Sequence, residues 1–405
     1  MNRRHAAAAS VAALSLLLPL AAAGTAAAAP GGPAPTPVTT GATTPGGPGA
    51  VDRLPGRIEL PRPTGRFAVG YDTLHLVDRS RTDPWAGTGP RELMVTLRYP
   101  AERGTGGRTA RYLTDEEARL LLASRDLEQA IPVAQLAGTA SYGRERARPV
   151  DGRYPLVVLS PGFTVHRATL TSLAEDMASR GYVVASVDHA YETVGTAFPG
   201  GRVLECLACE RVDEEGLPGL RKVSDTRGRD ASFLLDRLTG PAPVWRHSRL
   251  IDRGRIGVAG HSIGGAGAAA AMVADRRIRA GIDMDGTLFT PIPERGLDGR
   301  PFLFLGAEDA VPGAEGTWAE DWRRLDGWKR WITFTGSNHF TFTDVPSIGD
   351  QTGVPELKSP LPGARSVELT RTYAAAFFDR HLKGRPGRIL DGPTPGNPEV
   401  VFQHP

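Results

Sequence analysis

Ser262 stands in Gly260-His261-Ser262-Ile263-Gly264-Gly265, and the residues around it predict how its hydroxyl is presented. Arg255-Ile256-Gly257-Val258-Ala259 reads as a short buried strand, while residues 266–272 are small, apolar and helix-prone. Strand, sharp turn with a serine at its apex, then helix is a nucleophile elbow. The flanking glycines relieve crowding at such a strained turn. Acyl transfer from an ester is the chemistry that a serine so presented can perform.

A serine hydroxyl is a poor nucleophile at neutral pH and needs a base, which in turn needs an orienting acid. On the α/β-hydrolase sheet that an elbow of this kind implies, those partners follow the serine in the order acid, histidine. His339, His381 and His404 are the histidines that come after Ser262. His381 lies in Phe377-Phe378-Asp379-Arg380-His381, inside a closing helix, where a surface position is expected. His404 is one residue from the terminus. His339, in Gly336-Ser337-Asn338-His339-Phe340 just past an expected strand, is the candidate base. Two aspartates at strand ends, Asp285 and Asp309, are candidates for the acid. Spacing favours Asp309, since the strand before the histidine's strand is the commoner source. Asp283, on the other face of its strand from Met284, is expected to be a structural partner. Backbone donors must also face the developing oxyanion. They are expected from Ile263, after the serine, and from Phe163 in Ser160-Pro161-Gly162-Phe163-Thr164.

The elements that must position these groups alternate along the chain. Residues 67–77 and 93–99 read as antiparallel strands. The apolar run 156–159 suits a strand buried on both faces. A helix over 168–180 and a strand over 182–187 complete a βαβ unit. An irregular stretch from 188 to about 223 follows, then a helix over 227–238. After the elbow come strands 279–284, 302–305 and 331–334. A helix over 367–382 closes the order, with Ser366 as its N-cap and Gly384 just past its end. This order implies a mostly parallel sheet covered on both faces by helices, the α/β class.

Arg3 and Arg4 precede an apolar run over residues 6–23, and Ala26-Ala27-Ala28-Ala29 offers a cleavage site before Pro30. Residues 1–29 are therefore expected to be an export signal rather than a stable membrane anchor, and the mature protein to be secreted. Residues 30–56, dense in Pro, Gly and Thr, read as a spacer, and 57–405 as one catalytic domain. The formal charge is +3, from 48 basic and 45 acidic residues. Without Arg3 and Arg4 the counts are 46 and 45, so the basic balance implies no nucleic-acid partner. Cys206 and Cys209 are the two cysteines, and in an exported chain a local disulfide stapling a loop is the expected pairing.

Several motifs resemble the platelet-activating factor acetylhydrolases of the plasma, isoform II type. They are 156–163 followed by 173–184, the Gly260 to Gly265 turn, Leu97-Arg98-Tyr99-Pro100, the strand Arg277-Ile278-Arg279-Ala280-Gly281-Ile282 leading to Asp285-Gly286, and Gly336-Ser337-Asn338-His339 with Phe342-Thr343-Asp344. Bacterial lipases and cutinase-like polyester hydrolases share the first two. The resemblance implies a secreted serine esterase acting through an acyl-enzyme on lipid or small-molecule esters, with a short or modified acyl group and no metal or organic cofactor. It makes Asp285 the acid, against the preference from spacing. Asp309 stays open, because Gly306-Ala307-Glu308-Asp309 resembles the cutinase acid loop. Pro161 replaces the histidine usual in the acetylhydrolases. A lipase or polyester hydrolase is the first alternative. A serine peptidase and a non-catalytic binding protein are the others.

Overall fold

The computed structural model describes residues 56–314 and 318–404. The expected leader, 1–29, and all of the expected spacer, 30–56, except its last residue lie outside the described residues. Among the described residues the strands are β1 (Ala68–Thr82), β2 (Pro90–Ala101), β3 (Arg144–Glu145), β4 (Tyr154–Ser160), β5 (Val183–His189), β6 (Thr196–Phe198), β7 (Arg202–Leu204), β8 (Ile251–His261), β9 (Ile278–Met284), β10 (Phe302–Gly306), β11 (Lys329–Phe334) and β12 (Val400–Phe402). The helices are α1 (Asp115–Ala123), α2 (Val133–Ala137), α3 (Thr171–Ser179), α4 (Leu207–Glu215), α5 (Leu217–Thr239), α6 (Ile263–Ala274), α7 (Trp318–Arg324), α8 (Val345–Thr352) and α9 (Gly363–Lys383).

One sheet runs in the order β12-β11-β10-β9-β8-β4-β5-β2-β1-β3. β5, β4, β8, β9, β10 and β11 are parallel, and β1–β2, β2–β5 and β11–β12 are antiparallel pairs. β5 and β10 are buried throughout, and β4 and β9 are buried except at Tyr154 and Arg279, which explains apolar runs such as Leu156-Val157-Val158-Leu159. Their side chains feed two cores, one per face of the sheet. One core holds Val158, Leu234 and Ile256 with α5 and α6; the other holds Val157, Leu173 and Phe377 with α3 and α9. This is the α/β-hydrolase architecture expected from the elements.

Three boundaries differ from those expected. The 188–223 stretch is not irregular: it forms the β6–β7 hairpin, α4 and the first turns of α5. Pro218 sits in the first turn of α5, where its missing N–H costs nothing, and so does not break the helix. The closing helix starts at Gly363 with Pro362 at its cap, so Ser366 lies inside it, fully buried, rather than capping it. Gly384 ends it at φ 65°, as expected of a left-handed C-terminal glycine. The expected helix over 168–180 divides into a 3₁₀ turn, Arg167–Leu170, and α3.

Candidate active site

Ser262 is the residue between the end of β8 and the start of α6, and its φ of 57° marks the strained turn. Its N–H donates to Met284 O at 2.8 Å, tying the turn to the end of β9. Close approach demands glycine here. A Cβ on Gly264 would lie 2.2 Å from Ser160 O, and one on Gly265 1.7 Å from Asp283 Oδ1. The first turn of α6 is thereby pressed against both the 160–163 loop and β9. Ile263 is the first residue of α6, and the amides of a helix's first turn have no partner within the helix.

Asp285 follows β9 directly, also at positive φ (60°), and its N–H donates to Leu305 O at 2.8 Å. Its Oδ1 accepts from Ala307 N at 2.7 Å, and Oδ2 lies 2.6 Å from His339 Nδ1. His339 opens a 3₁₀ turn capped by Asn338, whose Oδ1 accepts from Phe340 N at 3.1 Å. With the carboxylate accepting, His339 Nδ1 carries the proton and Nε2 is left as the basic nitrogen. Asp309 is exposed in the loop after β10. It is Asp285 that meets the histidine, which is the pairing the family resemblance implies and not the one spacing favours. His404 is exposed. His381 is not on the surface as expected: it is half-buried, its ring 4.6 Å from Trp328 and 4.8 Å from Phe377.

Asp283 is fully buried on the other face of β9, as expected of a structural partner. It accepts from Gly286 N at 2.9 Å and Trp318 Nε1 at 3.1 Å. Burial, with Asp285 nearby, pushes its carboxyl well above the usual range. His261 donates from Nε2 to the His339 carbonyl at 2.7 Å, so the elbow also braces the histidine turn. Burial and the neighbouring His339 ring push His261 down to about 3, which keeps it neutral.

Phe163 is half-buried against the core, and the next residue, Thr164, sits at φ 67° with its N–H donating to Glu192 O at 3.0 Å. Beneath this loop lies a charged cluster that motif reading missed: Arg91, His189, Glu192, Arg227 and Asp230, each 3% exposed or less. Its one legible trace was an aspartate-histidine pair at the end of an apolar strand; its partners come from segments 40 to 140 residues away, beyond the reach of periodicity. Cys206 and Cys209 are disulfide-bonded, Cα–Cα 5.4 Å apart. The pair lies at the start of α4, not in a loop as expected.

Among the described residues no helix is long and apolar enough to cross a membrane. The family "Platelet-activating factor acetylhydrolase, isoform II" matches residues 55–198 and 246–383. The unmatched interval holds both cysteines, α4 and α5. A probable 1-alkyl-2-acetylglycerophosphocholine esterase of Arthroderma benhamiae is 31% identical over 86% of this chain and 95% of its own length. A bis(hydroxyethyl) terephthalate hydrolase of Streptomyces coelicolor is also 31% identical, but over 33% of each chain. The structure of a ferulic acid esterase from Streptomyces cinnamoneus superposes with a TM-score of 0.76 at 45% identity, covering 86% of this chain and 99% of that one. The chain thus belongs to the isoform II platelet-activating factor acetylhydrolase family and is a carboxylic ester hydrolase of the α/β-hydrolase fold.

Proposed function

We propose that the chain is an exported serine esterase in which Ser262, His339 and Asp285 are the catalytic triad. Ser262 Oγ attacks the ester carbonyl carbon while His339 Nε2 takes its proton. The amides of Phe163 and Ile263 stabilise the tetrahedral oxyanion. On collapse the proton passes from His339 to the leaving alkoxide, and the acyl group stays on Ser262 until water, activated by His339, releases it. Asp285 holds the imidazole in the tautomer this requires. The 2.6 Å bond from His339 Nδ1 to Asp285 Oδ2, one strand away from the Ser262 turn, carries the reading. The leader-like residues 1–29 and the Cys206–Cys209 disulfide support export.

The substrate we propose is an ester with a compact acyl group, first an acetyl ester of a glycerophosphocholine type, as in the Arthroderma relative's name. The 45% identity with a ferulic acid esterase favours a second reading, a hydroxycinnamoyl ester. The test is hydrolysis of p-nitrophenyl acetate, p-nitrophenyl palmitate, methyl ferulate and a 2-acetyl-glycerophosphocholine by wild type, Ser262→Ala, Asp285→Asn and Asp309→Asn. Ser262→Ala should abolish turnover. Asp285→Asn should lose about 10⁴-fold in kcat, with Asp309→Asn near wild type. Dominance of methyl ferulate would select the second substrate reading, and dominance of palmitate would refute both.

A further inference from the structure

The loop that carries Phe163 is gripped from below by the buried cluster. Arg227, on α5, donates from Nη1 to the Pro161 carbonyl and to Ser160 Oγ at 3.2 Å, and from Nε to Glu192 Oε2 at 2.8 Å. Glu192 also accepts from Arg91 Nη2 at 2.7 Å and Trp85 Nε1 at 3.0 Å. Its backbone carbonyl receives the Thr164 N–H, so the same residue holds the far end of the loop. From the other side, His189 Nδ1 lies 2.8 Å from Asp230 Oδ2 and His189 Nε2 lies 3.1 Å from Ser160 Oγ. Arg91 Nη2 donates to the same Asp230 oxygen at 2.8 Å.

Proton directions in this chain are fixed. Asp230, paired with Arg91, is an acceptor, so His189 donates from Nδ1 and accepts at Nε2 from the Ser160 hydroxyl. Ser160 Oγ is then free to accept from Arg227. Serine, histidine and carboxylate repeat the bonding order of a hydrolytic triad, but Ser160, His189 and Asp230 are 6%, 3% and 0% exposed. An ester cannot reach Ser160, so the arrangement holds something in place instead of attacking. What it holds is the Pro161-Gly162 peptide, whose rotation, next to a residue without a Cβ, is otherwise soft.

We propose that Arg227 is a positioning residue for ester hydrolysis: by fixing the Pro161 carbonyl it sets the direction in which the Phe163 N–H meets the oxyanion. The inference rests on the reading that Phe163 supplies an oxyanion donor. Arg227 and Asp230 lie in the interval that the family match leaves out, whereas Arg91, Ser160, His189 and Glu192 lie within the matched residues.

Arg227→Lys and Ser160→Ala, with wild type and Ser262→Ala, test it through kcat and KM on p-nitrophenyl acetate, inhibition by phenylboronic acid and melting temperature. Lysine keeps the charge but cannot span Pro161 O, Ser160 Oγ and Glu192 at once. Arg227→Lys, assayed well below its melting temperature, should lose about ten- to a hundredfold in kcat with KM within twofold, and boronate affinity should fall in parallel. Ser160→Ala removes only the hydroxyl between His189 and Arg227. It should lose several-fold in kcat with the same pattern, which keeps the test open if the lysine variant does not fold. Lowered melting temperature with unchanged kcat and boronate affinity in either folded variant would overturn the proposal. Residual turnover in Ser262→Ala would instead overturn the triad reading beneath it.

Discussion

At the scale of single residues, burial shifts the titration of two groups beside the proposed triad, Asp283 and His261. His261 illustrates this best, because it bonds the His339 carbonyl and faces the His339 ring at 4.7 Å, with Asp285 the nearby acid. Its value falls from the ordinary 6.5 to about 3 through burial first and the His339 ring second. Folded and unfolded chains are both neutral at this position above pH 6.5. Below it the unfolded chain binds one proton more, so the stability contributed by neutral His261 is lost as pH falls from 6.5 towards 3. The slope is about 1.4 kcal/mol per pH unit inside that window. Urea unfolding of wild type and His261→Gln between pH 7 and 4 should therefore diverge, with the variant's acid slope shallower by about that amount. Parallel slopes would show that His261 is protonated in the folded protein. Ser262 and His339 were legible as candidates because their surroundings are local: a strand, a turn and a few residues. Residue types and spacing alone left Asp285 and Asp309 open, since both follow apolar strands; the family resemblance pointed to Asp285, and the sheet brings Asp285 to His339. His189 showed only its place at the end of an apolar strand, and Arg227 carried no local signal.

Elements were legible where apolar runs announced them, and less so where polar or helix-breaking residues stood at an element's start. Residues 217–226 contain Pro218 and Gly219, and α5 begins ten residues before the helix expected over 227–238. In the fold Pro218 lies in the first turn, and a Cβ on Gly219 would lie 3.0 Å from Val212 Cα of α4, so both residues serve the α4–α5 junction. The same holds for Gly363, whose added Cβ would lie 2.4 Å from the Pro346 backbone of α8. At the other end of α4, the disulfide joins Cys206 to Cys209 across its first turn, where the Ala208 N–H donates to Tyr191 O at 3.0 Å. A closed loop this short constrains the unfolded chain only modestly, by about 2 kcal/mol. The double variant Cys206→Ser, Cys209→Ser should lose that much in a denaturant titration under oxidising conditions. It should retain hydrolysis of p-nitrophenyl acetate, since α5 is anchored independently through Arg227. An unchanged midpoint would mean that the bond contributes nothing to folding.

At the scale of the molecule, the expected mostly parallel sheet was legible because strand and helix alternate, but the third core was not. Ile58 and Leu60, each 1% exposed, join Leu113 and Leu122 around α1, Leu136 of α2 and Ile348 of α8. None of α1, α2 or α8 was anticipated, because each is short and packs through residues drawn from distant parts of the chain. This cluster draws Ile58 and Leu60 into the fold. Leu60 N donates to Ala140 O at 3.0 Å and Ala140 N to Ile58 O at 2.8 Å. The buried Arg371 of α9 donates to Pro61 O at 2.7 Å and Arg62 O at 2.9 Å. A chain starting at Arg57 keeps all of these contacts, and one starting at Phe67 loses them. Losing two buried aliphatic side chains at about 1.5–3 kcal/mol each, and the carbonyl partners of a buried guanidinium, predicts a cost of about 5 kcal/mol or more. Residues 57–405 should match residues 30–405 in unfolding midpoint and in kcat/KM, while residues 67–405 should be destabilised by that amount and lose activity as they unfold. A 57–405 chain already weakened by more than about 1 kcal/mol would show that residues 30–56, expected from their composition to be a spacer, contribute to stability.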